Sequence, residues 1–294
     1  MLVGKISHTI RALDYKNICL EEIFKYIDVI KTLGINYINF NIKLLEQIGP
    51  KDNWLNYAKS LKDYADGLSM KFVVTHAPYE NLLILSNGYN QDLINKTFKA
   101  LEVTKLLEAD TMVIHSGISY VDGVYNEELT ENQNFDYWKD VCIYAKKLNI
   151  NVAFENDVVA DYTDKKHIFK PSVITVRNFV EKFNFLDNVK ICYDIGHAFI
   201  SWNEIINNLY SVKDYLGCFH IHNNRGLVNI ENYWKNDTHN PCYDGDIDMK
   251  KFFDALKDIS YSGNIVIESV YRDSLVENLK SNIDKDYKFI SGLL

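Results

Sequence analysis

A (β/α)8 barrel of parallel strands is the fold this sequence predicts, and three observations carry the prediction. Eight short apolar runs recur along the 294 residues, amphipathic helical segments separate them, and none of the runs shows the polar alternation of a half-exposed strand. The third point matters because a parallel sheet covered by helices is buried on both faces. A doubly wound open sheet is the alternative. No GxGxxG or GxxxxGK(S/T) follows any run, which argues against the nucleotide-binding versions of that sheet. Residues 1–294 are expected to form one domain.

The strands are expected, in order, over LVGKIS (2–7), YINF (37–40), FVVTH (72–76), TMVIH (111–115), VAFE (152–155), VKICYD (189–194), GCFHIH (217–222) and IVIE (265–268). After the first, Leu20, Ile23, Phe24, Ile27, Ile30 and Leu33 fall on one helical face; before the fifth, Val141, Ala145 and Leu148 do the same. Pro171 ahead of SVITVRNFV reads as a helix start. The least regular stretch is 223–247, NNRGLVNIENYWKNDTHNPCYDGDI, and loops of that size in compact domains are usually functional.

Hydrophobic residues make up 47% and charged residues 24%, the composition of a globular chain with a large core. The net charge of −8 weakens attraction to nucleic acid and to anionic membranes. No basic-then-apolar leader opens the sequence and no run of eighteen apolar residues occurs, so a cytoplasmic location without membrane contact is expected. Five widely spaced cysteines without a CxxC pair suggest core packing, neither a disulfide framework nor a thiolate zinc site.

In a barrel the C-terminal ends of the strands converge on the face that carries chemistry. Those ends here are His76, His115, Glu155, Asp194, His220 or His222, and Glu268. Glu155 and Glu268 directly follow VAF and IVI, where desolvation is costly unless a cation or a donor answers it. Asp194 and His197 flank Gly196, which would let the chain turn sharply and aim both inward, and Asp237 and His239 stand two apart in the long loop. Carboxylates mixed with imidazoles and no thiolate suit a divalent metal such as Zn²⁺, Mn²⁺ or Mg²⁺. The set exceeds one four-coordinate ion, so it implies one metal with a substrate-binding shell, or a cluster of two or three.

The blocks THAPY (75–79), VIHSG (113–117), FEND (154–157), YDIGHAF (193–199), HIHNNRG (220–226), DTHNPCYDGDIDM (237–249) and IVIES (265–269) resemble the xylose isomerase-like barrel superfamily. It includes sugar isomerases and epimerases and the endonuclease IV class of abasic-site nucleases. For the isomerases and epimerases the resemblance implies a metal held by Glu155, Asp194, His220 and Glu268, with His222 the alternate to His220. Glu155 and Glu268 would then exchange the substrate proton through an enediolate. For the nucleases it implies three zinc ions, with His76, His115, His197, Asp237 and His239 as additional ligands. The segment NFNIKLLEQIG (39–49) lacks the Asn, Arg and Trp set with which nuclease members penetrate the duplex.

The expected activity is therefore a metal-dependent isomerase or epimerase of a sugar, sugar phosphate or cyclitol. An endonuclease IV-like zinc phosphodiesterase acting on abasic DNA is the alternative. His197 and Arg225 would bind substrate hydroxyls or a phosphate, and Trp202, Tyr233 and Trp234 would wall the pocket. A small sugar is the expected partner, nucleic acid is disfavoured, and assembly into a homo-oligomer is left open.

Overall fold

The computed structural model describes residues 4–10, 18–80, 83–158, 172–201, 204–226, 233–271 and 276–294. Its strands are β1 (Lys5–Ile10), β2 (Tyr37–Asn41), β3 (Lys71–His76), β4 (Thr111–His115), β5 (Tyr120–Val121), β6 (Val124–Tyr125), β7 (Asn151–Glu155), β8 (Val189–Asp194), β9 (Leu216–Ile221) and β10 (Asn264–Ile267). All but β5 and β6 pair in parallel to close a barrel in the order β1-β2-β3-β4-β7-β8-β9-β10. This is the expected (β/α)8 fold.

The helices bury one face each against that barrel. In the helix Leu20–Thr32, Ile23, Ile27 and Ile30 have no exposed surface, and each contributes about 1.5–3 kcal/mol by leaving water. Side-chain caps set several helix starts. Asn90 accepts from the Leu93 amide (3.1 Å), Asn126 from Leu129 (2.8 Å) and Asp248 from Lys251 (2.9 Å). Among the described residues no helix is long and apolar enough to cross a membrane.

One local expectation is corrected. β1 runs over Lys5–Ile10, past the expected end at residue 7, because Ser7, His8 and Thr9 are buried and their pairing with β2 and β10 continues the strand beyond the apolar run; residues 2 and 3 of that run lie outside the described residues. The hairpin β5–β6 was not anticipated. Asp122 (φ 51°) and Gly123 (φ 77°) between its strands form the two-residue, positive-φ turn that an Asp-Gly pair favours. The helix expected after Pro171 begins at Val173, with Ser172 accepting from the Ile174 amide at 3.2 Å; Pro171 lies outside the described residues.

Strand alternation organises the barrel interior. His76, His115, Glu155, Asp194, His220 and Glu268 stand at or just beyond the C-terminal strand ends. Two residues earlier on each strand are Val74, Val113, Ala153, Cys192, Cys218 and Val266, which share a buried cluster. A side-chain period of two makes this cluster the floor beneath the polar residues.

Candidate metal centre

Three groups of ligand atoms gather at the mouth, the atoms within each lying no more than 4.8 Å apart. The central group is Glu155, Asp194, His220 and Glu268; one flanking group is His76, His115 and Glu155; the other is His197, His222, Asp237 and His239. The structure thus brings together the carboxylates and imidazoles of the strand ends with Asp237 and His239 of the long loop, whereas Asp244 and Asp246 of that loop face Arg225. His222 belongs with His197 and the loop pair rather than replacing His220, although its Nε2 also lies 3.1 Å from Asp194.

Glu155 connects two of the groups. Its Oε2 lies 3.2 Å from Nε2 of both His76 and His115, while its Oε1 lies 3.1 Å from Nδ1 of His220 and 3.4 Å from Nδ1 of His197.

Several imidazoles are oriented as metal-ligating histidines are, with one ring nitrogen tied to a fixed acceptor and the other turned toward carboxylates. Nδ1 of His76 donates to the Ala77 carbonyl (2.8 Å), and Nδ1 of His239 to that of Glu268 (3.1 Å). Nδ1 of His115 pairs with the Asp157 carboxylate at 3.1 Å. Asp194 is held twice over: its carboxylate caps the short helix Ile195–Ile200 through the His197 amide (2.8 Å), and its own amide donates to Asn156 (2.9 Å).

Burial by itself would raise the carboxyl pKa values and lower those of the imidazoles, yet mutual attraction outweighs it. His220 and His115 hold Glu155 well below the usual range; His197 and His222 lower Asp194; His239 and His197 hold Asp237 well below. In return Asp157 and Glu155 raise His115 to about 10, and carboxylates also raise His197 and His220 well above normal. Buried charges of one sign are thus answered by buried charges of the other, the condition under which such groups are tolerated. This donor set fits a hard or borderline divalent ion, which would displace the imidazole protons.

Gly196 has a steric role besides the expected change of direction. It sits within the helix Ile195–Ile200, and a Cβ placed on it would lie 2.1 Å from Cε1 of His222. Only the missing side chain lets that ring approach. Gly196→Ala is expected to force the His222 ring out of its place and to lower stability by about 1–3 kcal/mol, measurable by urea unfolding.

Sequence reasoning missed Thr9 and Asn39. Thr9 Oγ1 donates to Glu268 Oε1 (3.2 Å), and Asn39 Nδ2 donates to Thr9 Oγ1 (2.9 Å). Ending the first strand at residue 7 hid Thr9; both are strand-end polar residues, the signal used for the later strands. Asp286 was also missed. Buried on the C-terminal helix, it accepts from the Cys242 amide (2.7 Å), Ser269 Oγ (2.6 Å) and Tyr271 OH (2.8 Å), tying the loop that carries Asp237 to the segment after Glu268. Asp286→Ala orphans those donors and should lower stability by about 3 kcal/mol in urea unfolding.

Arg225 is not drawn into the centre. Its side chain is 55% exposed and pairs with Asp244 and, at 3.9 Å, with Asp246. Trp202 lies outside the described residues, as do the side chains of Tyr233 and Trp234.

A closed parallel barrel with its polar centre at the C-terminal mouth defines an α/β barrel of the kind that carries its chemistry there. The chain belongs to the xylose isomerase-like TIM-barrel family, whose model matches residues 27–292. It is 25% identical over 217 residues to an uncharacterised protein of Methanocaldococcus jannaschii, covering 72% of this chain and 68% of that one. Solved structures of similar fold include 3-keto-D-glucoside 4-epimerase from E. coli (TM-score 0.69, 17% identity, covering 97% of this chain and 99% of that one). Another is an AP endonuclease, family 2, from Brucella melitensis (TM-score 0.68, 13% identity, covering 97% and 99%).

Proposed function

We propose that this chain is a divalent-metal-dependent isomerase or epimerase of a sugar, sugar phosphate or cyclitol, acting through one barrel domain spanning residues 1–294. The observation that carries it is the central group, in which Glu155, Asp194, His220 and Glu268 offer ligand atoms within 4.8 Å of one another and the two glutamates come from well-separated strand ends. Membership of the xylose isomerase-like family supports the same reading.

A divalent ion held by these residues would polarise a substrate's carbonyl and adjacent hydroxyl oxygens, making the hydroxyl-bearing carbon next to the carbonyl more acidic. Glu268, whose side chain is 13% exposed at the mouth, is placed to take that proton. His220 keeps its carboxyl ionised against the cost of burial, and the Thr9 hydroxyl orients one oxygen. Glu155, more deeply set among its histidines, would return a proton on the other carbon or the other face.

One observation favours a second reading. The sharing of the Glu155 carboxylate between the His76–His115 pair and His220 suits a site for several ions, as in a zinc phosphodiesterase that uses both glutamates only as ligands. Elemental analysis of the purified protein, followed by solvent-deuterium exchange into a panel of ketoses, separates the two. About one tightly bound ion with deuterium incorporation is the expected result; about three zinc ions, no exchange and cleavage of a phosphodiester would transfer the conclusion to the hydrolase.

A further inference from the structure

The floor beneath the mouth contains two thiols that the chemistry above does not use. Cys192 and Cys218 are register partners on β8 and β9, both with no exposed surface, and stand two residues before Asp194 and His220. The rest of that floor is aliphatic. Far apart in sequence, the two Sγ atoms come within 4.8 Å of each other and of a ring nitrogen of His220.

The His220 ring has two distinct sides. Nδ1 faces Glu155 Oε1 at 3.1 Å and Glu268 Oε2 at 3.4 Å. Nε2 is fully buried and meets no hydrogen-bond partner among the described residues. A buried ring nitrogen left without a partner, on an imidazole that groups with two buried thiols, is the kind of unsatisfied group that an ion explains.

We propose that Cys192, Cys218 and His220 form a second, lower metal site that takes one thiophilic divalent cation, of the Zn²⁺ or Cd²⁺ class, beneath the carboxylate-rich mouth. Such an ion bonds sulfur at about 2.3 Å and nitrogen at about 2.0 Å, which sets its ligand atoms roughly 3.5–4 Å apart, inside the observed span. Each thiol gives up its proton as its metal–sulfur bond forms, and the protons leave by the mouth. A dication with two thiolates is neutral overall, so it brings no net charge among the valines and alanine of the floor. With Nε2 bound below, Nδ1 retains its proton and donates to Glu155, so ions above and below compete for one imidazole. The site does not depend on which reaction the mouth performs.

The test is a Cd²⁺ titration of metal-stripped, reduced protein followed by near-ultraviolet absorbance. None of the mouth groups contains sulfur, so a thiolate-to-cadmium charge-transfer band cannot arise from them, and the variants below separate this pair from Cys19, Cys142 and Cys242. The expected result is a band that saturates at about one Cd²⁺ per chain, is lost in the Cys192→Ala/Cys218→Ala double variant, and persists in Cys142→Ala. No band in the unaltered protein, or a band that survives in a folded double variant, would overturn the proposal. If circular dichroism shows that the double variant does not fold, Cys192→Ser and Cys218→Ser are tested singly. Each should then lose about half of the band or more, and an unchanged band in both would be equally fatal.

Discussion

Glu268→Gln is expected to slow proton exchange at the substrate carbon by about 10²- to 10⁴-fold while leaving the fold intact. The replacement is isosteric, and the Thr9 hydroxyl can still donate to the amide oxygen, so the segment has no reason to move. What is lost is the ability to accept a proton from carbon, since an amide is not a base at neutral pH. Glu268 also belongs to the central ligand group, so metal content must be measured alongside the exchange rate. Full exchange activity in a metal-loaded variant would remove Glu268 from the proton-transfer role. A fall that matched the loss of metal would leave it a ligand only.

His220→Ala should weaken binding of the central ion by more than about 100-fold, whereas His222→Ala should chiefly impair the group formed with His197, Asp237 and His239. The physical basis is that His220 Nδ1 is shared between Glu155 and Glu268, while His222 meets Asp194 through Nε2 and stacks on His239 with ring centroids 3.8 Å apart. In metal-free protein His220→Ala also strips Glu155 and Glu268 of a buried positive partner, at an expected cost of about 3–5 kcal/mol. Metal analysis of both variants checks the assignment, and a larger loss of the central ion in His222→Ala would move it two residues along the chain.

The centre was legible in unequal parts. Glu155, Asp194 and Glu268 stood out because each closes a run of apolar residues, where an uncompensated charge is costly. Asp237 and His239 gained meaning only from their company, because nothing local separates them from solvated loop residues. Asn156, within FEND, braces Asp194 through both of its backbone groups, a service that no local pattern announces. Gly196 lies where strand passes directly into helix, with Asp194 and His197 both at the mouth. Its further service is to leave room for a ring 26 positions later, which no local pattern records.

By itself the order of residues determined the barrel, because burial of a parallel sheet on both faces demands unbroken apolar runs between amphipathic helices, and it marked the strand ends as the place for chemistry. Only the tertiary structure decided how the ligands divide into groups, that Glu155 serves two of them, and that Asp286 ties two distant loops together. It alone set Cys192 and Cys218 side by side beneath His220. The reason is that closing the barrel fixes the distances between strand ends, and those distances depend on register and curvature rather than on any neighbour in the chain.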